Sequence, residues 1–215
     1  MIKNNIYTYD YFQPDEYRFS LDSVFLAQKV ATLLENKTNL ESWKVLDLCS
    51  GCGIIGLELS LHRPELLHFD FLEIQNLYFP FFQKNVEMIC SDTQNKHMHF
   101  LNHNYQVLLG NAFEDSYDLI VSNPPYFFKG EGLLSPNDFK NRCRFFLDSD
   151  FKTLIEAITN SLRPNASAYL LMRKGDHHGR SALKEINRIL KGRASAQIID
   201  NIRGTEIVHI EKKLL

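Results

Sequence analysis

Val45-Leu46-Asp47-Leu48-Cys49-Ser50-Gly51-Cys52-Gly53-Ile54-Ile55-Gly56 is the stretch on which the fold turns. Val45 to Leu48 is short, apolar and broken by one carboxylate, the composition of a strand buried on both faces. Five small residues follow, and from Ile54 to Leu61 the apolar residues recur at helical spacing. Strand, glycine turn and helix in that order open a doubly wound sheet, whose ligands bind beyond the carboxyl ends of its strands. Gly51, Gly53 and Gly56 satisfy G-x-G-x-x-G literally, a pattern that several nucleotide-like ligands share. Asp47 narrows the choice, because a carboxylate just before the turn repels a pyrophosphate and attracts a cation such as an ammonium group.

The alternation continues downstream. His68 to Leu72 reads as a second strand ending at Glu73, an acceptor for both hydroxyls of a ribose. A helix is expected over Leu77–Ile89, with Pro80 tolerable there in the first turn alone. Residues 91–104 are polar and rich in His and Asn, which suits a loop or insertion. Tyr105–Leu109 reads as a third strand ending at Gly110-Asn111-Ala112, with Asn111 a partner for an adenine edge, and Tyr117–Ser122 as a fourth. Phe127–Asp150 lacks a period, and so long a loop beside a site is usually functional or mobile.

Phe151–Leu162 then reads as a helix, Ala168–Met172 as a strand and Ser181–Leu190 as a helix, before a hairpin of Ala196–Ile199 and Glu206–Ile210 about Arg203-Gly204. Upstream, a helix capped by Ser20 or Asp22 runs to about Glu35, while Met1–Tyr17 has no assignable period. The expected fold is α/β: a mainly parallel central sheet of about seven strands, helices on both faces and a C-terminal antiparallel hairpin. Residues 1–42 form an N-terminal arm and helix packed on a catalytic domain over 43–215.

A chain of 215 residues with 44% hydrophobic and 23% charged residues suits one globular domain. No apolar run has the length of a membrane span, and the start is polar and aromatic rather than signal-like, so a cytoplasmic protein with no membrane partner is expected. The net charge of −2 conceals an asymmetry: residues 1–139 carry 9 Lys and Arg against 18 Asp and Glu, residues 140–203 carry 13 against 6. Lys140, Arg142, Arg144, Arg173, Lys174, Arg180 and Arg193 are either a surface for a phosphate backbone or solvated faces of helices. Cys49 and Cys52 have the spacing of a redox pair or half a zinc site, but Cys90 and Cys143 stand alone, so free thiols are expected. His97/His99 and His177/His178 have no matching ligand cluster, and no metal is expected. Oligomeric state leaves no mark in the sequence.

Asn123-Pro124-Pro125-Tyr126 ends the fourth strand. Two successive prolines donate no backbone hydrogen bond and hold φ nearly fixed, which makes a stiff turn. The turn presents the Asn123 amide oxygen and the Pro124 carbonyl as acceptors, with the Tyr126 ring beside them, an arrangement that suits a planar group bearing NH2. Alone it is better explained by a proline turn capping a strand. Asp47, Glu73 and Asn111 at the preceding strand ends give it a chemical setting, an adenosyl ligand.

In this order, Asp47 with the Cys49–Gly53 turn, Glu73, Asn111-Ala112 and Asn123-Pro124-Pro125-Tyr126 resemble the motifs of Rossmann-like S-adenosylmethionine-dependent methyltransferases that act on planar amino groups, over about residues 43–175. Val121–Phe127, with Phe19-Ser20-Leu21-Asp22-Ser23-Val24 upstream, is similar to the tRNA adenine-N6 methyltransferases that modify a valine tRNA anticodon loop. The resemblance implies S-adenosyl-L-methionine as cofactor and S-adenosyl-L-homocysteine as product. Asp47 and the turn (Cys49, Ser50, Gly51, Gly53) would hold the methionyl moiety, Glu73 the ribose, Asn111 and Ala112 the adenine, with Asn123 bordering both ligands.

It further implies that the Asn123 oxygen and the Pro124 carbonyl, stiffened by Pro125, accept the two N–H bonds of the target amine. Tyr126, with Phe127 or Phe128, would stack on an unstacked base, and Arg142 and Arg144 would contact substrate. The implied partner is structured RNA, tRNA first. Release-factor glutamine methyltransferases carry the same tetrapeptide, which keeps a protein glutamine as an alternative, although they usually bring a helical N-terminal domain that the forty or so residues before Trp43 are too few to supply. Guanine-N2 is a third acceptor. A non-catalytic RNA-binding module has no need of Asp47, Glu73 and Asn123 together, and a dinucleotide-dependent oxidoreductase leaves Asn-Pro-Pro-Tyr unexplained.

Overall fold

In a computed structural model of the chain, which describes residues 2–3, 6–90, 96–128, 130–173 and 181–214, the apolar runs become strands of one sheet. Two short strands, β1 (Ile2–Lys3) and β2 (Ile6–Tyr7), pair antiparallel ahead of α1 (Leu21–Leu33). Then follow β3 (Lys44–Leu48), α2 (Ile54–His62), β4 (His68–Leu72), α3 (Phe79–Cys90), β5 (His97–Leu101) and β6 (Tyr117–Ser122). The remainder is α4 (Asp138–Arg144), α5 (Phe151–Ser161), β7 (Leu162–Arg173), α6 (Ala182–Leu190), β8 (Ala194–Ile202) and β9 (Thr205–Lys212). The seven-stranded sheet has the order β5-β4-β3-β6-β7-β9-β8; its first five strands are parallel, and β9 and β8 close it as an antiparallel hairpin.

Successive side chains of a strand point to opposite faces, and the core divides accordingly. Val45, Phe69, Phe71, Leu119 and Val121 pack with Val24 and Val30 of α1, Leu57 of α2 and Phe82 of α3. Leu46, Leu48, Leu72 and Ile120 face the other way, onto Leu154 and Ile158 of α5 and Ile186 of α6. Each fully buried Leu or Ile contributes roughly 1.5–3 kcal/mol from the area it removes from water, offset by the entropy of ordering it. The N-terminal arm is pinned on the first face by two buried polar side chains. Glu58 of α2 accepts from the Thr8 hydroxyl, and Asn85 of α3 bonds both the N–H (2.7 Å) and the C=O (3.0 Å) of Phe12.

Three local expectations change. Tyr105–Leu109 is a 3-10 helix, not a strand: its apolar positions Tyr105 and Leu108 are three apart and both buried, the repeat of that helix. The third strand is instead His97–Leu101, inside the stretch whose polarity suggests a loop. As a sheet edge it needs no apolar alternation, and none of its residues is fully buried. The segment after Tyr126 contains α4, capped by Asn137, whose side chain accepts from the Lys140 N–H. Pro80 is the second residue of α3, where its missing N–H costs nothing. Lys174, Arg180 and His177/His178 lie outside the described residues.

Candidate active site

The strand registers decide what meets what. Leu48 pairs with Leu72 and Ser122, and Leu72 pairs with Leu101, so Cys49, Glu73, Asn102 and Asn123 leave the sheet side by side. Between β3 and β6 the chain order reverses, with β4 and β5 on one side and β7 on the other. Ligands of open α/β sheets bind at this kind of switch point, and a cavity of about 240 Å³ opens there. Of the residues singled out in the sequence, Cys49, Ser50, Gly51, Glu73, Asn123, Pro124, Pro125, Tyr126, Phe127, Arg142 and Arg144 line it. Asp47, Gly53, Asn111, Ala112 and Phe128 are outside the lining.

Asp47 lies within β3, fully buried, and its Oδ2 accepts from the Gly56 N–H (2.8 Å), so it caps the start of α2 from behind the turn. Its Oδ1 has no partner among the described residues, and burial holds the carboxyl well above the usual range. Gly53 takes φ +86°, and a Cβ there would come within 2.9 Å of Phe82; at Gly56 a Cβ would meet the Phe71 ring at 2.5 Å. These two glycines therefore serve the packing of the turn against β4 and α3, while Gly51 faces the cavity. Asn111 and Ala112 stand exposed in a 3-10 turn, because the strand that would have carried them to the site ends at Leu101. His103, Asn104 and Tyr105 occupy the cavity wall after that strand.

Glu73 is the buried acid of the cavity. Its Oε2 accepts from Gly51 N–H (2.9 Å) and its Oε1 from Gln75 N–H (2.8 Å), which ties the turn after β3 to the turn after β4. Asn102 holds the same corner by donating to the Glu73 and Ile74 carbonyls. Burial pushes the Glu73 carboxyl up to about 7, against the backbone donors, which favour the charged form. Ser50 Oγ, also buried, has no partner among the described residues.

The amide of Asn123 is held from two sides. Its Nδ2 donates to Ser23 Oγ of α1 (3.0 Å), and its Oδ1 accepts from the Tyr126 hydroxyl, which leaves Oδ1 one further lone pair. Burial raises the Tyr126 phenol above its ordinary pKa and keeps it a donor. The N–H groups of Tyr126 and Phe127 both donate to the Arg144 carbonyl (3.1 and 3.0 Å), and Phe146 N–H donates to Phe127 O (2.9 Å). The proline turn is therefore clamped by the chain that returns from α4. Phe128 points away, into rings of Phe146 and Phe151.

Ser23 escaped notice in the sequence as more than part of a motif. The signal was available: it shares the buried stripe of α1 with Ala27, Val30 and Ala31, where a hydroxyl needs a partner. Cys143 of α4 is a second such residue, within hydrogen-bond reach of Gln75 Nε2 (3.3 Å) and Tyr78 Oη (3.2 Å) across the cavity. Burial pushes the Cys143 thiol up to about 11 and that of Cys52 to about 12, and Cys49 well above its usual value, so these cysteines stay protonated and poorly nucleophilic near neutrality. Arg142 lines the cavity with its charge committed to Asp148 (3.2 Å). Among the described residues, no three His, Cys, Asp or Glu side chains come together as a metal site, and no helix is long and apolar enough to cross a membrane.

The family model described as "Methyltransferase small domain" matches residues 19–135. A release factor glutamine methyltransferase of Leptospira interrogans is 31% identical over 151 residues, which is 67% of this chain and 50% of that protein. A tRNA1(Val) (adenine(37)-N6)-methyltransferase of Tolumonas auensis is 25% identical over 162 residues, 72% of this chain and 63% of that protein. The chain thus spans about half to under two thirds of the length of these curated relatives. Among solved structures, the Thermus thermophilus 16S rRNA N2 G1207 methyltransferase in complex with AdoMet and guanosine superposes with a TM-score of 0.62 over 93% of this chain and 45% of its own, at 17% identity, a likeness of fold.

Proposed function

This chain belongs to the methyltransferase small domain family, and we propose that it is an S-adenosylmethionine-dependent N-methyltransferase whose acceptor is the N6 amino group of an adenine in structured RNA, tRNA first. The observation that carries the reading is the placement of Asn123, its amide fixed by Ser23 and Tyr126, in the same cavity wall as Glu73. The residues present fit the cofactor. Glu73 offers a carboxylate for the ribose hydroxyls, Ser50 Oγ is a buried polar atom of the lining that lacks a partner among the described residues, and Gly51 brings backbone to the cavity. Asp47 serves this site first by holding the turn in shape. Asn104 and Tyr105, which line the cavity where Asn111 and Ala112 do not, are the better candidates for the adenine end.

When bound, S-adenosylmethionine supplies a methyl group on a sulfonium, an electrophile that needs no activation by the protein. The task left to the chain is to make a poor nucleophile attack, since the lone pair of an exocyclic amine is delocalised into its ring. Asn123 Oδ1, with its remaining lone pair, and the Pro124 carbonyl accept the two N–H bonds. They rotate the lone pair out of conjugation and stabilise the positive charge that grows on nitrogen. The Ser23 bond fixes the amide the right way round, with its oxygen rather than its NH2 toward the amine. The proton then leaves the nitrogen for solvent, and no side chain of shifted pKa is required. A glutamine carboxamide presents the same planar NH2, so the relatives named above differ in substrate and not in the chemistry asked of Asn123. Transfer of labelled methyl from S-adenosylmethionine into unfractionated RNA and unfractionated protein, followed by nucleoside analysis, separates them. N6-methyladenosine is expected, and label confined to protein would refute the RNA reading.

A further inference from the structure

Arg144 and Arg173 end two different elements, α4 and β7, and meet over one ring: their guanidinium carbons lie 5.4 and 5.1 Å from the centroid of Phe127. Arg144 also lies 5.7 Å from the centroid of Phe145. Among the described residues these two arginines, like Arg193 and Arg203, have no carboxylate partner, and they differ from that second pair in sharing one aromatic ring. Arg18, Arg63, Arg142, Arg163 and Arg188 each pair with a carboxylate. Two like charges gathered over one ring repel each other. The ring's attraction for each offsets part of that repulsion without neutralising either charge. A guanidinium held by its face over a ring keeps its N–H edge available, and that edge matches the oxygens of a phosphate. Phe127 follows the Asn-Pro-Pro-Tyr turn directly, and it and Arg144 line the cavity, so an anion held here is adjacent to an amine presented to Asn123.

We propose that Arg144, Phe127 and Arg173 form a phosphate clamp that takes the backbone phosphate next to the target nucleotide, anchoring a nucleic-acid strand while its base enters the cavity. The clamp rests on the reading of an RNA amino group as acceptor; a glutamine-bearing protein loop carries no such obligatory anion. It also changes how the excess of basic residues over 140–203 acts. Arg142, Arg163 and Arg188 are paired with Asp148, Asp118 and Glu185, whereas Arg144 and Arg173 bring uncommitted charge to the ring beside the proline turn.

The test compares the full-length wild type with Arg173→Gln and with the Arg144→Gln/Arg173→Gln double variant. Each is assayed for methyl transfer to unfractionated RNA and to unfractionated protein across a range of potassium chloride, with S-adenosylhomocysteine affinity measured in parallel. For RNA, kcat/KM is expected to fall about tenfold or more in the double variant, mainly through KM, with cofactor affinity kept. The slope of log(kcat/KM) against log salt should become shallower by about one for each phosphate that the variant no longer neutralises. Wild-type transfer to RNA with unchanged KM and salt slope in both variants would overturn the clamp and leave the RNA reading standing. Wild-type label in protein alone would overturn the RNA reading, and the clamp with it.

Discussion

Glu73 is the residue whose ionisation the fold has changed most usefully. Burial pushes its carboxyl up to about 7 in the free protein, whereas an unfolded chain ionises it near ~4.3. Between those values the folded state holds a proton that the unfolded state has released. Its contribution to stability is therefore fully present below the unfolded pKa and is lost as pH rises through about 7. Ligand binding has the opposite sign. Ribose hydroxyls donate to a carboxylate, so binding selects the ionised form, and S-adenosylhomocysteine affinity is expected to rise as pH goes from 6 to 8, by up to about tenfold per unit below the pKa. Calorimetric titration across that range checks this, with Glu73→Gln as control; equal pH dependence in both proteins would show that another group titrates. At this scale the sequence was informative wherever a residue follows a strand directly, as Glu73 and Asn123 do. It named Ser23 only within a motif, because the partner that its buried hydroxyl meets lies one hundred positions away.

Gly56, just beyond the turn between β3 and α2, shows how packing between elements supports the site from outside the cavity lining. Gly56 lies in the first turn of α2 with its N–H on Asp47, and the site its Cβ would fill is 2.5 Å from Phe71 Cε1 and 3.3 Å from Asp47 Cβ. Gly56→Ala must move β4 or the helix, at an expected cost of about 1–3 kcal/mol. Urea unfolding should show a lower midpoint with an unchanged m-value; a midpoint equal to wild type would mean the packing yields freely. The elements themselves were legible where burial imposes a pattern. Val45–Leu48, His68–Leu72 and Tyr117–Ser122 are interior strands that must be apolar, and all three appear close to the expected limits. The edge strand His97–Leu101 has one strand neighbour and only a partly buried face, Met98 and Phe100, so its short polar-apolar alternation was hidden in a stretch otherwise rich in His and Asn. With that strand placed at His97–Leu101, the residues that follow it into the cavity wall are His103, Asn104 and Tyr105, and the expected adenine pair Asn111-Ala112 stands exposed outside the lining.

Over the whole molecule, parallel registers bring four strand ends level, and Cys49, Glu73 and Asn123 from three of them line the cavity where the strand order reverses. That arrangement follows from the connectivity and could be anticipated from the alternation of strands and helices. What the connectivity does not specify is the packing of α1 and α4 around the site. The first brings Ser23 to Asn123, and the second brings Cys143 to Tyr78 and Arg144 to the proline turn. Both helices are joined to the site by polar contacts over long sequence separations, which no local pattern encodes.

In the proposed reaction the Asn123 amide, held by Ser23, accepts the amine that becomes methylated. Single-turnover methyl transfer by wild type, Asn123→Ala and Ser23→Ala at saturating cofactor, with S-adenosylhomocysteine affinity determined for each, addresses it most directly. Transfer is expected to fall by about a hundredfold or more in Asn123→Ala, in the range for removing one preorganised transition-state partner. A smaller fall is expected in Ser23→Ala, where the amide keeps its Tyr126 bond and loses the one to Ser23, and cofactor affinity should be kept in both. Asn123→Ala turning over at the wild-type rate would contradict the claim.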